Sequence, residues 1–268
     1  MKSTKNRRPK SINRRPTINR RPKSIKKSIG SNVFRTNNML VDHLVKNKII
    51  SDKRVIKVMK QIDRRNFLMP NTPLIDKPNR LFLNQTISAP HIHGKALEYL
   101  IKNCVPGKRV LDVGCGSGYL TACFCELLQV HKYPKSRVVG IDIYSGLVDY
   151  SIKKMKDNYK KYLPKFYGGT NVNNNVKIIC ANGWKGYDDE DESKYDVIHV
   201  GASPDYVPEQ LLEQLNNGGL MIIPVGNSYT LIKKNENGVI SKESILNVRF
   251  VPLIKNTTDC IIKYKNNK

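Results

Sequence analysis

Acidic residues are scarce in this chain, and the scarcity is uneven. Against 47 lysines and arginines there are only 22 aspartates and glutamates, which gives a net charge of +25. Residues 1–30 contain twelve of the basic residues and no acid, in degenerate repeats that begin at Arg7, Arg14 and Arg20. Because repeated prolines and dense charge oppose a packed core, we expect residues 1–30 to form a disordered tail.

The composition of this tail is compatible with three uses. Its charge would attract nucleic acid, an acidic protein or another anionic partner. It could equally be a solvated extension that binds nothing. An organellar transit peptide is the third alternative, although the prolines oppose the amphipathic helix that such peptides form.

Long apolar runs and paired cysteines are also lacking. No run is long enough to cross a bilayer, and no signal-peptide core is found near the start, so we expect a cytoplasmic protein without a membrane partner. The six cysteines form no C-x-x-C pair and no Cys/His cluster. We therefore expect no metal site and reduced thiols.

The most informative stretch that is present is RVLDVGCGSGY, residues 109–119. It predicts a buried strand that runs into a glycine-rich turn, with a helix opening at about Ser117. Glycines 114, 116 and 118 carry no Cβ to keep a ligand away from the backbone. The first N–H groups of the helix point into the same turn, so the stretch predicts a nucleotide-sized binding place.

The spacing of this stretch differs from the dinucleotide fingerprint G-x-G-x-x-G. Here the third glycine comes one residue early, and Asp112 lies two residues before the first glycine. An acid there would repel a pyrophosphate but suits a cationic ligand. The pattern resembles motif I of the S-adenosylmethionine-dependent methyltransferases. A glycine-rich turn without a ligand is the alternative.

The rest of the chain predicts strands that alternate with helices. Two short helices, at residues 38–50 and 52–62, come before the glycine turn. Further strands are expected at 138–141, 176–181, 195–200, 220–225, 229–234 and 246–253. This order predicts a doubly wound α/β fold with a mostly parallel, Rossmann-like sheet. Polar or small residues end the strands at 112–118, Asp142, Asn182-Gly183 and Gly201-Ala202, where such sheets bind their ligands.

Residues 81–90, LFLNQTISAP, predict an extended segment followed by a helix at about 91–103. Ser88 is well placed to cap that helix, with Pro90 in the first turn. For His91 and His93 the simplest interpretation is surface or capping polar groups.

Two segments together resemble the signature of the protein-L-isoaspartate (D-aspartate) O-methyltransferase family: QTISAPHIHGKALEYL, residues 85–100, and VLDVGCGSGYLTACF, residues 110–124. The resemblance covers roughly residues 38–254 and implies one methyltransferase domain over 31–268. It also implies a monomeric repair enzyme that uses S-adenosyl-L-methionine. Such an enzyme methylates the free α-carboxylate of isoaspartyl or D-aspartyl residues in damaged proteins and peptides.

The resemblance assigns roles to individual positions. Ser88 matches the active-site serine of the family. Asp142 would hold the ribose hydroxyls, and Asn182 with Gly183 would lie near the adenine. The other positions that the resemblance places at the cofactor are Gln85, Thr86, Ile87, Ser88, His93, Asp112, Gly114, Gly116, Ser117 and Gly118.

The sequence also departs from the family. Asn182 stands where an acid is typical, and the residues after Leu253 match poorly. The runner-up function is another small-molecule or RNA methyltransferase whose basic tail holds RNA. Against it, the chain has no Asn/Asp-Pro-Pro-aromatic motif of amino-methylating enzymes. A catalytically silent scaffold with a nucleic-acid-binding tail is a third class.

Overall fold

The structure, a computed structural model, describes residues 33–160, 166–167, 170–171, 175–188, 194–255 and 260–262. These residues belong to one compact unit. The tail predicted at residues 1–30 lies outside the described part of the chain. No helix in the described ranges is long and apolar enough to cross a membrane.

Two N-terminal helices, α1 (Asn37–Lys46) and α2 (Lys53–Gln61), precede the sheet, as the sequence predicts. Thr36 caps α1 by accepting a hydrogen bond from the Met39 amide, and Asp52 caps α2 in the same way through Arg54. Their apolar faces are buried at Leu40, Leu44, Val55, Val58 and Met59. A short 3-10 helix, Arg64–Phe67, follows α2.

A small two-stranded ladder leads from the N-terminal helices to the main domain. Strand β1 (Asn79–Arg80) pairs antiparallel with β2 (Thr86–Ile87), and helix α3 (Pro90–Leu100) follows. The extended segment expected over 81–90 is therefore a strand only at its centre. Leu83 and Asn84 adopt positive φ angles of 57° and 56°, which turns the chain back between the two strands.

Nine strands of the described residues form the main sheet, in the order β11-β10-β9-β8-β3-β4-β7-β6-β5. Pairing is parallel from β9 through β8, β3 and β4 to β7, and antiparallel at both edges. This confirms the predicted Rossmann-like methyltransferase fold. In chain order the elements are β3 (Arg109–Val113), α4 (Tyr119–Leu127), β4 (Arg137–Asp142), α5 (Ser145–Asn158), β5 (Phe166–Tyr167), β6 (Thr170–Asn171), β7 (Val176–Cys180), β8 (Tyr195–Val200), α6 (Glu209–Glu213), β9 (Leu215–Val225), β10 (Ser228–Lys234) and β11 (Ile240–Asn247).

Both faces of the central strands are buried, as a doubly wound sheet requires. Along β3, Val110 packs into the apolar cluster on one face, whereas Leu111 and Val113 pack into the cluster on the other. All five residues of β3 and all six of β8 are buried. The ends of these strands are therefore held in fixed positions by the core.

The last strand is displaced from its predicted place. β11 occupies 240–247, not 246–253, and β9 begins five residues before the predicted 220. The tight turn after β10 explains the shift. The Asn235 amide donates to the Val239 carbonyl at 2.9 Å, so the chain reverses directly after β10 and Lys234 already pairs with Ile240. Residues 248–255 instead run past the strand ends, where Ser203 exchanges backbone hydrogen bonds with Val251 and Leu253, both of 2.8 Å.

The expectation of reduced thiols is wrong for one pair of cysteines. Cys180, at the end of β7, forms a disulfide with Cys260, and their Cα atoms lie 5.4 Å apart. The backbone brings them together, because Ile261 donates to the Ile143 carbonyl at 2.7 Å and accepts from the Ser145 amide at 3.2 Å. The other four cysteines are free and buried.

Candidate active site

The carboxyl ends of β3, β4, β7 and β8 meet in one cleft, which we call the strand-end cleft. Its wider part encloses about 540 Å³, some of it open to solvent. Its lining includes Gln85, Thr86, Gly114, Gly116, Asp142, Tyr144, Ala181, Gly183, Gly201, Ala202 and residues 251–254. A narrower continuation is lined by Ile87, Ser88, His93, Asp112, Cys115, Ser117, Tyr119 and His199.

The floor of the cleft is the glycine turn after β3. Gly114 and Gly116 adopt φ angles of 71° and 54°, in the left-handed region that disfavours side chains. The amides of Gly114 and Cys115 both donate to the Ile141 carbonyl, at 2.8 and 3.0 Å, which fixes the turn against β4. An added Cβ at Gly201 would lie 2.8 Å from the Gly114 carbonyl, so the two loops touch backbone to backbone.

Asp142 closes one side of the cleft. Its carboxylate accepts hydrogen bonds from the Gly116 amide at 3.0 Å and from the Tyr144 amide at 3.1 Å. Burial raises the pKa of Asp142 to about 6, because the charged form loses hydration. The same carboxylate thus lines the cleft and holds the glycine turn.

Asp112 lies in the wall of the cleft, but both of its oxygens are already engaged. Thr121 donates its hydroxyl to Oδ2 at 2.6 Å, and Nδ1 of His199 lies 2.7 Å from Oδ1. All three side chains are buried. Asp112 therefore orients His199, which itself lines the cleft.

The segment that leads into α3 forms the opposite wall. Thr86 borders both parts of the cleft, and Ser88 lies where the cleft meets a neighbouring groove, which we call the side groove. The side groove is lined by Pro78, Thr86, Ser88, Ala89, His91, Ile92, Gly201 and residues 246–251. Ser88 therefore borders both cavities.

The capping role predicted for Ser88 is wrong. The N-cap of α3 is Ala89, with Pro90 at the first helical position, and no side chain of the cap accepts a helix amide. Asp76 does so from the preceding loop, since its Oδ1 accepts from the His91 amide at 2.9 Å and contacts His91 Nδ1 at 2.8 Å. The hydroxyl of Ser88 makes no hydrogen bond within the described residues and is free for a ligand.

A buried arginine supports this wall from behind. Arg64 donates through Nη2 to the Ser88 carbonyl at 2.5 Å, and its Nη1 lies 3.0 Å from Nδ1 of His93. Its guanidinium also lies over the Tyr119 ring, 5.6 Å from the centroid. Burial, assisted by the charge of Arg64, holds the pKa of His93 well below its usual value, so the ring is neutral.

The C-terminal side of the cleft is built from residues that are distant in sequence. Trp184 donates its indole N–H to the Leu253 carbonyl at 3.1 Å, and Lys255 lies over the Trp184 ring at 5.2 Å. Gly183 admits this packing, since a Cβ there would lie 2.7 Å from Val113 and 2.8 Å from Leu253. No group of three metal-binding side chains is found among the described residues.

A family model described as protein-L-isoaspartate(D-aspartate) O-methyltransferase matches residues 35–258. The chain belongs to the protein-L-isoaspartate(D-aspartate) O-methyltransferase family. Protein-L-isoaspartate O-methyltransferase 2 of Arabidopsis thaliana is 38% identical over 219 residues, which span 80% of this chain and 66% of that protein. The Caenorhabditis elegans relative is 37% identical over 222 residues, which span 81% and 92%.

A solved structure agrees with the family and with the fold. A Plasmodium falciparum chain assigned as a protein-L-isoaspartate O-methyltransferase, in complex with S-adenosyl-L-homocysteine, superposes with a TM-score of 0.73 and 34% identity. The match covers 83% of this chain and all of that one.

Most of the positions that the family resemblance singles out come together in the strand-end cleft. Within the described part of the chain, Gly118 and Asn182 do not line the cleft. Gly118 has φ 83° and packs against Ser151 beneath the turn, and Asn182 is buried with its Oδ1 accepting from the Trp184 amide at 3.0 Å. Those that line the cleft are Gln85, Thr86, Ile87, Ser88, His93, Asp112, Gly114, Gly116, Ser117, Asp142 and Gly183.

Sequence reasoning missed Arg64, Asp76, His199 and Ile254 as parts of this methyltransferase site. His199 had a signal, because a histidine inside the apolar run YDVIHV is costly to bury unless a polar group pairs with it. Arg64 and Asp76 lie before the signature and meet it only in the folded chain.

Proposed function

We propose that this chain is a protein-repair methyltransferase. It transfers a methyl group from S-adenosyl-L-methionine to the free α-carboxylate of L-isoaspartyl and D-aspartyl residues in damaged proteins and peptides. The neighbouring backbone nitrogen then attacks the ester carbonyl and releases methanol to form a succinimide, and water reopens this ring partly to normal aspartate. The observation that carries the proposal is the position of Ser88, with a free hydroxyl, at the junction of the strand-end cleft and the side groove.

The residues of the cleft fit the cofactor. The left-handed turn at Gly114 and Gly116 leaves the backbone open to a ligand, and Asp142 offers acceptor oxygens for ribose hydroxyls. Gln85, Thr86, Ile87, His93 and Ser117 would surround the amino-acid end. Gly183, which lets Val113 and Leu253 pack closely at this end of the cleft, would lie near the adenine. Gly118, Asp112 and Asn182 would act indirectly, by holding the turn, His199 and the Trp184 loop in place.

The side groove would hold the peptide. A carboxylate is ionised at neutral pH and is already a nucleophile, so the reaction needs no strong general base. The bound cofactor supplies the methyl group on a sulfonium, which is an excellent leaving group. Ser88 donates a hydrogen bond that orients the attacking carboxylate, and the walls of the cleft align donor and acceptor. Such alignment alone can lower the activation free energy by on the order of 7 kcal/mol.

The decisive experiment compares two synthetic peptides that differ only in an isoaspartyl or a normal aspartyl linkage. We expect base-labile label from labelled S-adenosylmethionine on the isoaspartyl peptide alone. Label on neither peptide, with cofactor binding retained, would contradict the proposal. RNA would then be tested as the acceptor, since the basic tail favours that alternative.

We further propose that residues 31–268 form a single monomeric domain and that residues 1–30 engage nucleic acid or another acidic partner. The charge of the tail supports the second part. We also propose the cytoplasm as its location. The Cys180–Cys260 disulfide is unusual there, because cytosolic disulfides are rare unless they are transient.

A further inference from the structure

Arg64 is enclosed behind the wall of the strand-end cleft, at the start of the 3-10 helix. Only 1% of it is exposed, and it is among the largest fully buried side chains of the described residues. Its backbone amide donates to Oδ1 of Asn37 at 3.2 Å, and its guanidinium lies over the Tyr119 ring. These contacts hold the guanidinium in one place.

The contact between Arg64 and His93 determines where the imidazole carries its proton. An arginine side chain can only donate hydrogen bonds, so Nδ1 of His93 accepts the one from Nη1, at 3.0 Å. A neutral ring whose Nδ1 accepts carries its proton on Nε2. His93 lines the narrow part of the cleft beside Ser117 and Gly116, so its N–H is the polar group that the ring can offer to a ligand.

Arg64 also places a buried positive charge next to the cleft. Among the described residues no carboxylate forms a direct ion pair with it, although the charge of Asp76 acts on it from a distance, and its Nε makes no hydrogen bond. Burial lowers the pKa of Arg64 to about 10, so the group remains charged at neutral pH. In a poorly hydrated site this charge favours an anion nearby.

We propose that Arg64 is a positioning residue that fixes His93 as an Nε2–H donor for a carboxylate bound in the strand-end cleft. This inference rests on the proposed function, because both ligands of that reaction carry a carboxylate. One belongs to the amino-acid end of the cofactor, and the other to the isoaspartyl residue. Through its second hydrogen bond, to the Ser88 carbonyl, Arg64 holds Ser88 and His93 in fixed positions relative to each other within one wall of the site.

The binding test uses two nucleosides, S-adenosyl-L-homocysteine and methylthioadenosine, which lacks the amino-acid end. The variants are Arg64→Met and the matched control Arg65→Met, since Arg65 is the exposed neighbour that pairs with Asp63. If the carboxylate is that of the cofactor, calorimetry should show that Arg64→Met binds S-adenosyl-L-homocysteine about tenfold more weakly than the wild type does. Its affinity for methylthioadenosine should be nearly unchanged. If it is that of the substrate, both affinities stay and KM for the isoaspartyl peptide rises about tenfold.

Equal losses for both nucleosides, or no change in either affinity or in KM, would overturn the proposal, because a merely structural arginine predicts one of these results.

The second measurement is the ¹⁵N NMR signature of the His93 ring in the ligand-free protein. We expect the Nε2–H tautomer in the wild type, in Arg65→Met and in Arg64→Lys, which keeps a donor, and a mixture in Arg64→Met. A mixed or Nδ1–H ring in the wild type overturns the proposal. The calorimetry and the NMR measurement do not need methyl transfer, so an inactive wild type would contradict the proposed function separately.

Discussion

At the scale of the residue, Ser88 has a task separate from cofactor binding. Its hydroxyl is not used by α3, and it borders both the cleft and the side groove. We expect Ser88→Ala to lower kcat for an isoaspartyl peptide by about 10- to 100-fold, since a hydrogen bond to a charged group contributes roughly 1.5–3 kcal/mol. The affinity for S-adenosyl-L-homocysteine, measured by calorimetry, should stay within about twofold.

The matched control for Ser88 is Ser244→Ala, on the exposed edge strand β11. It removes a hydroxyl whose partner is Ser228, at 2.7 Å, and neither serine is among the residues that line the cleft or the side groove. Both kcat and affinity should be unchanged. Equal loss of turnover and of cofactor affinity in Ser88→Ala would contradict the division of tasks.

Asp142 makes cofactor binding depend on pH. Its pKa is raised to about 6, above the ordinary value near 4. Between about pH 4 and 6 the carboxyl group of Asp142 is therefore protonated in the folded protein and ionised in the unfolded chain. Its contribution to stability is lost as the pH rises through that window. Ribose hydroxyls bind the ionised form better, so binding should release the proton. We expect S-adenosyl-L-homocysteine affinity to fall below pH 6, by at most about tenfold per pH unit.

The comparison for this pH effect is Asp142→Asn. An amide does not titrate, so its affinity should be lower at pH 7 and nearly flat from pH 5 to 8. Calorimetric titrations across that range measure both proteins. A flat wild-type profile would show that ionisation of Asp142 is not linked to the ligand.

At the scale of the element, the junction of β3 and α4 depends on Gly118. Its φ is 83°, and an added Cβ would overlap the Ser151 hydroxyl on α5. We expect Gly118→Ala to lower the free energy of unfolding by about 3 kcal/mol, from the left-handed backbone and the overlap together. Denaturant unfolding followed by circular dichroism measures the loss.

Gly107 provides the matched control, because its φ is 87° and no atom lies within 4 Å of an added Cβ. Gly107→Ala should therefore lower the free energy of unfolding only through the strain of the left-handed backbone, by about 1 kcal/mol. The double variant Gly118→Ala/Ser151→Ala should recover part of the loss. If Gly107→Ala and Gly118→Ala cost the same, the contact with α5 contributes nothing.

The elements show how far local patterns can predict this site. The alternation of strands and helices, together with the glycine spacing, correctly placed Gly114, Gly116 and Asp142 at a common edge of the sheet. These predictions succeeded because strand direction and buried runs are local properties. The prediction that Ser88 caps α3 was wrong because Asp76 accepts the hydrogen bond of the His91 amide instead, from a loop fifteen residues before His91. The start of β11 was missed because a tight turn sets its register.

The interactions behind the cleft walls could not be predicted in the same way. Arg64 and His93 are 29 residues apart, and His199 and Asp112 are 87 apart. Each pairing depends on which faces the folded core brings together. A single sequence identifies the charged and polar side chains but not their partners.

At the scale of the whole molecule, the basic tail and the site are separate in sequence. Among the residues that the structure describes, those that line the two cavities all lie between 78 and 254. We expect deletion of residues 1–30 to leave kcat/KM for an isoaspartyl peptide within about twofold, while it removes salt-dependent binding to RNA. Loss of peptide turnover on deletion would show that the tail takes part in the reaction.

The disulfide stabilises the molecule as a whole. It joins residues 80 apart in sequence, for which the loop-entropy model gives about 4.5 kcal/mol as an upper value. We expect a reducing agent to lower the free energy of unfolding in urea by about 2–4 kcal/mol. Cys260→Ser should show the lower stability without reductant and no further response to it. Equal stability of the wild type in both conditions would contradict this contribution.

The same bond turns one half of the sheet into a closed ring. β8, β9, β10 and β11 all lie on the chain between Cys180 and Cys260, together with the segment that borders the cleft. A protease that cuts once within this ring, for instance at the turn after β10, releases no fragment. The nicked protein would migrate as one species on a non-reducing gel and as two on a reducing gel, so cleavage of the backbone need not separate the two halves of the active site.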